Sequence, residues 1–384
     1  MKKNHFIFSI ITLVLLVVFI TSFNYFKTTN TYIDDNINNQ TKIIKGISMN
    51  LEQTAGAGDY KTVTQSSWPT EGYKFNAELS RCENGSTLSW DDTKKAVIVS
   101  GNLSDKCYVY FDIYQPTLAE YIKSQYTGTQ GENALYYHNS TLTNGAGDNS
   151  YRYAGAWDSV NNYICLGSDA TTCPEANLFR IIGVFGAQTK VIRAESVGNK
   201  QWDTSEDNTW SSSSLNTYLN GEYLTSLGTL VEKIATNTWK VGGGSWANIG
   251  KSVPATAYQY EVGSSASTTT YDAKIGLMYV TDYYYGASPS AWTLVGYDSD
   301  ATKDYRAAKT INWLYLGSYE WTISRLSGLT TNAISVNSTG YLSFPTVTTS
   351  DAVRPSFNLL SSTTYVSGSG SMSDPVRVKV RKYE

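Results

Sequence analysis

The pattern of apolar and polar positions divides the chain into unequal stretches. Phe6 to Phe23 is almost wholly apolar and carries no charge. About 20 such residues cross a hydrocarbon core, so the run is near the lower limit for a membrane helix and longer than most signal-peptide cores. Lys2 and Lys3 precede it, which keeps the N-terminus cytoplasmic. Residues 1–27 are therefore expected to be a membrane anchor or signal segment, with a weak cleavage site at Ile20-Thr21-Ser22 as the alternative to retention. Residues 28–60, polar and with AGAGD at 55–59, read as a stalk.

From 61 to 115 the pattern shortens to β-prone runs, Tyr73–Phe75, Thr87–Trp90, Ala96–Val99 and Cys107–Phe111. Asn84-Gly85, Asp91-Asp92 and Gly101-Asn102 separate them as turns, predicting a small β domain. Helical spacing then appears. Thr117 and Glu120 form a capping box ahead of Leu118, Tyr121 and Ile122. Ser211–Ser214 precede a second helix that Gly221 stops, and Tyr223–Ala235 carries an apolar stripe as a third. Strands are expected at 177–183, 190–193, 275–280, 321–324, 333–336, 357–360 and 376–380. Early helices followed by many short strands give an α+β class for a single domain over 116–384.

Composition sharpens the location. Only 16% of residues are charged, yet mean hydropathy is −0.30, so the polarity comes from Ser, Thr, Asn, Gly and 30 Tyr. A net charge of −3 without a basic cluster excludes a nucleic-acid partner. Cys82, Cys107, Cys165 and Cys173 permit three disulfide connectivities. Nearest-neighbour pairing, Cys82 with Cys107 and Cys165 with Cys173, is the simplest. The rival, a zinc site, lacks Cys-x-x-Cys spacing and has only His138 to draw on outside the N-terminal tail. Disulfides persist in oxidising compartments, in keeping with export.

CENG at 82–85, SDKCYVYFD at 104–112, TLAEYIKS at 117–124, GAGDNSYRYAG at 145–155 and NLFRIIGVF at 177–185 carry a resemblance. TWSSSSLNTYLNG at 209–221, KIGLMYVTDYYYGA at 274–287, NWLYL at 312–316 and VRPSFNLLS at 353–361 extend it. Together they resemble a domain of unknown function in secreted proteins of Firmicutes, itself similar to the C-type-lectin-like fold of formylglycine-generating enzymes. The resemblance implies a loop-rich C-type-lectin-like domain and no transferable activity. The chain departs from both chemistries of that fold: residues 174–384 contain no cysteine, and the calcium-lectin tripeptides are absent.

No nucleophile motif, phosphate loop or zinc-protease motif occurs, and His138 in a predicted loop reads as a surface residue. No cofactor is implied. Asp298, Asp300 and Asp304 are the weak metal candidates, but an EF-hand would need Gly and Glu where Lys303 and Lys309 stand. Aromatic residues supply the remaining signal. Sugar rings stack on aromatic faces, and Tyr283, Tyr284, Tyr285 and Trp292 lie in the densest cluster, although such residues also fill cores. If Tyr283–Tyr285 are extended, alternate rings face opposite ways and at least one is exposed. The expected protein is a single-pass membrane protein whose extracytoplasmic part recognises a glycan or a surface protein, without enzymatic activity. The alternatives are a carboxylate enzyme of wall or carbohydrate substrates, using Asp298 and Asp300, and a structural protein of the cell envelope.

Overall fold

The computed structural model describes residues 46–64, 67–69, 72–102, 104–293 and 310–380. The chain forms two compact units that divide between Gln115 and Pro116. In the first, alternation of apolar and polar residues builds β1 (Ile47–Glu52), β2 (Tyr60–Val63), β3 (Tyr73–Cys82) and β6 (Cys107–Ile113) into one sheet, in the order β2-β1-β6-β3. The intervening β4 (Thr87–Asp91) and β5 (Ala96–Ser100) make a separate hairpin. β1 and β6 run parallel, with Ile47 opposite Cys107 and Leu51 opposite Phe111. The sequence 47–52, expected to belong to a stalk, is thus a central strand of the sheet.

Phe111 anchors this unit's small core, packed against Trp68, Phe75 and Trp90 with ring centroids 5.7–5.9 Å apart. Cys82 and Cys107 are directly opposite one another in the β3–β6 ladder and form a disulfide. A unit of this size buries little apolar surface, so a cross-link that restricts its unfolded chain matters more here than in a large domain.

The second unit opens with the helix Leu118–Ser124. Its capping box is formed as expected: the Thr117 hydroxyl accepts from the Glu120 amide, and the Glu120 carboxylate accepts from the Thr117 amide. Next come β7 (Leu135–His138), β8 (Ser150–Tyr153), β9 (Tyr163–Cys165), β10 (Leu178–Phe185) and β11 (Gln188–Arg193). With strand Ser356–Leu359 they form a six-stranded sheet centred on the β10–β11 hairpin, and β9 pairs with the start of β10. A five-stranded sheet follows from segments between Asn199 and Ala352, with Glu320–Arg325 in its middle. Cys165 is bonded to Cys173.

The α+β expectation is corrected by this arrangement. Sheets dominate and helices are few; the longest α-helix among the described residues is the eight-residue Pro254–Glu261. None of those helices is long and apolar enough to cross a membrane, and Phe6–Phe23 lies outside the described residues. The two helices expected near 211–235 are broken. Ser214–Tyr218, capped by the Ser213 hydroxyl, runs into a π-helical turn at Leu219–Tyr223, and Gly228 at φ +56° separates a 3-10 segment, Gly228–Lys233. The strand expected at 275–280 is absent. One β-bridge joins Gly276 to Ser356, and a helix begins at Val280. The paired cysteines fit a secreted or extracellular protein.

Candidate functional site

One row of residues across the six-stranded sheet lays the base of the site. Arg152 on β8 is opposite Gly183 on β10, Gly183 is opposite Lys190 on β11, and Lys190 is opposite Asn358 on the neighbouring strand. Residues directly opposite in a sheet share a face. Gly183 has no side chain in this row, and a Cβ there would run into the Tyr151 carbonyl oxygen. Two cations therefore stand on either side of a gap.

Asp282 fills that gap from the helix Val280–Gly286. Lys190 Nζ is 2.5 Å from Asp282 Oδ2, and Arg152 Nη1 is 3.6 Å from Asp282 Oδ1. The helix start is fixed twice. The Tyr279 amide donates to Asp282 (2.8 Å), and the Val280 and Thr281 amides donate to the buried Glu261 carboxylate (2.9 and 2.8 Å), where the positive end of the helix favours negative charge. On its other side Arg152 donates to Asp148 (2.6 Å) and to the Ser150 hydroxyl (2.8 Å), and the Tyr258 hydroxyl also donates to Asp148 (3.0 Å).

These groups line a cavity of about 250 Å³, walled by Phe185, Trp239, Tyr258 and Tyr279 and bordered by Asn237, Thr238 and Lys240. The Lys190 ammonium is 4.5 Å from the Tyr279 ring centroid, and the Arg152 guanidinium 4.6 Å from that of Phe185. Burial would push the Asp148 carboxyl up, but Arg152 and the Ser150 hydroxyl and amide outweigh it and hold it at about 2. Burial pulls the Lys190 ammonium down, and Asp282 restores only part of the loss. Burial pulls on Arg152 as well, yet its two carboxylates more than compensate and raise it. Three cations (Arg152, Lys190, Lys240) thus face two carboxylates (Asp148, Asp282) around the cavity. Asn358 donates to Asn237 (3.0 Å), while its own Oδ1 is buried without a protein partner among the described residues.

Comparison with known proteins gives no relative. No family model, curated protein or solved structure matches the chain.

The residues expected to form an aromatic platform lie elsewhere and are corrected. Tyr283, Tyr284, Tyr285 and Trp292 are each at most 1% exposed. The three tyrosines sit on a helix buried on every side, and their hydroxyls donate to the carbonyls of Gly340, Ile249 and Asn144. Trp292 donates to the Ala287 carbonyl. Alternation does not apply on a helix, where successive side chains turn about 100°. His138, expected at the surface, is buried at the end of β7. Its Nδ1 accepts from the Ala146 amide (3.1 Å), and its ring packs against Tyr285 and Trp292. Asp298, Asp300 and Asp304 lie outside the described residues.

Sequence reasoning missed Arg152, Lys190 and Asp282. The available signal was a charged residue inside otherwise apolar strands, SYRY and QTKVIR, in a chain with few charges.

Proposed function

We propose that this chain is an extracytoplasmic recognition module, held at the outer face of the cell membrane by the apolar segment 6–23. Its cavity takes a small ring-bearing anion, for which a carboxylated sugar residue is the best fit. The surplus cation beside aromatic walls carries this reading. Apolar ring faces rest against Tyr258, Tyr279 and Phe185, while Asn237, Thr238 and Asn358 offer hydrogen bonds to hydroxyls. Lys240, which has no ion pair among the described residues, meets the carboxylate. The other charges are already engaged with one another, which fixes the walls before a ligand arrives and limits the ordering cost of binding.

The test is a glycan array probed with the full chain, carrying neutral and uronic- or sialic-acid-bearing sugars. Acidic sugars should bind selectively. Lys240→Gln should weaken them roughly tenfold, the scale of one charge-assisted hydrogen bond, with little change in melting temperature. Preference for neutral sugars, or binding that ignores Lys240, overturns the reading.

A further inference from the structure

The contact between Lys190 and Asp282 supports a bond as well as an ion pair. The two side chains come from residues 92 apart in sequence, meet at 2.5 Å, and are only 6% and 3% exposed. Both are fixed by backbone that cannot drift. Lys190 is in β11, hydrogen-bonded on both edges to β10 and to Ser356–Leu359; Asp282 caps its own helix through the Tyr279 amide. An amine and a carboxyl held at this separation have an effective concentration far beyond that of free reactants.

We infer that Lys190 and Asp282 condense to an intramolecular amide. The reaction needs no second reactant. The ammonium first passes one proton to Asp282 Oδ2, leaving a neutral amine beside a neutral acid. The nitrogen lone pair then attacks Asp282 Cγ, and the Cγ–Oδ2 bond breaks. Of the three ammonium hydrogens, one stays on the amide nitrogen and two depart with Oδ2 as water, into the adjoining cavity. One positive and one negative charge disappear together.

The surroundings favour the neutral amine and the attack, while Arg152 and the Tyr279 amide hold Asp282 ionised and work against the first proton transfer. Burial weakens the hold of Lys190 on its proton, which supplies the nucleophilic form of the amine. Arg152 Nη1, 3.6 Å from Asp282 Oδ1, is placed to stabilise negative charge on that oxygen during attack. Tyr279 and Trp239 stand beside the ammonium at 4.5 and 5.2 Å and keep bulk water from it. The product joins the central hairpin of the six-stranded sheet to the helix that carries Tyr283–Tyr285. Unlike the two disulfides, it would survive reduction.

The deciding measurement is the intact mass of the full chain after reduction and denaturation, followed by peptide mapping. The wild-type chain should be lighter than its sequence by one water. Digestion should yield a branched peptide joining the Lys190 and Asp282 segments. Lys190→Arg keeps a cation opposite Asp282 but supplies no amine, and should show the full sequence mass. A wild-type chain at full mass overturns the inference without need of any variant, as does a water loss that maps to other residues. The cavity keeps its one-cation surplus whether or not the bond forms, so this result and the sugar-binding result stand or fall separately.

Discussion

Two buried arginines in the second unit are held in opposite ways. Arg180, on β10, is 1% exposed and has no ion pair among the described residues. Its guanidinium donates to Asn162 Oδ1 (2.7 Å) and to the carbonyls of Val160 (2.9 Å), Trp157 (3.3 Å) and Trp313 (3.4 Å), between the rings of Tyr163 and Trp313. Burial brings it down to about 10, still well above neutrality. Arg152 has two carboxylates, a phenol and a cavity beside it. A charge surrounded by neutral dipoles fixes loops together and has nothing to exchange. A charge set among opposing charges at the edge of a void can be retuned by whatever enters. The first arrangement is architecture, and the second has the attributes of a site.

The largest expected effect is on the architectural arginine. Arg180→Met removes four hydrogen bonds and strands three carbonyls and an amide, and should cost roughly 4 kcal/mol in urea denaturation. Arg152→Met should cost less, about 3 kcal/mol, at the low end for a broken buried pair, because water from the cavity can reach Asp148 and Asp282 keeps Lys190 as its partner, paired or bonded. Equal losses would erase the distinction between the two sites.

Acid provides the next test. Asp148 titrates at about 2 in the folded chain, below the unfolded value of about 3.9. A group depressed on folding stabilises above its unfolded pKa and loses that contribution as pH falls through the folded one. On the order of 2 kcal/mol should therefore vanish between about pH 4 and pH 2. The loss should be absent in Asp148→Asn and smaller in Arg152→Met, where the folded value moves back up towards the unfolded one. Urea midpoints measured across this range would show it.

The smallest effect belongs to His138. Burial first, then Arg152 nearby, holds its imidazole well below the ordinary value of about 6.5. Its contribution is present above that value and declines as pH drops beneath it, with a limiting slope of about 1.4 kcal/mol per pH unit. His138→Asn, which keeps an acceptor for the Ala146 amide, should flatten stability between about pH 6.5 and 5. An unchanged slope would assign the titration to another group.

Local order was legible where its cause was local. The Thr117–Glu120 capping box, the strands at 177–183 and 190–193, and the two nearest-neighbour disulfides all depend on residues close in sequence. The site was not, because it depends on register. Arg152, Gly183, Lys190 and Asn358 meet only once four strands are aligned, and one residue of slip would send each to the other face. The tyrosines failed for a related reason. Spacing cannot tell a helix from a strand when every position is buried, and Val280–Gly286 is buried along its whole length. The class was misjudged because helical spacing near 211–235 produced short broken turns, while the sheets were assembled from distant segments.

The parallel pairing of β1 with β6 has a mechanical consequence. Among the described residues these are the first and last strands of the first unit, and they are neighbours. Tension applied to the unit's two ends pulls Ile47 and Ile113 in opposite directions along strands that lie side by side. The ladder between them is then loaded in shear: its bonds must yield together, where a peeling geometry would break them one after another. Should the ladder give way, the Cys82–Cys107 bridge keeps the chain between those residues from paying out. Resistance to force would then follow from strand order, in a unit whose small core alone promises little.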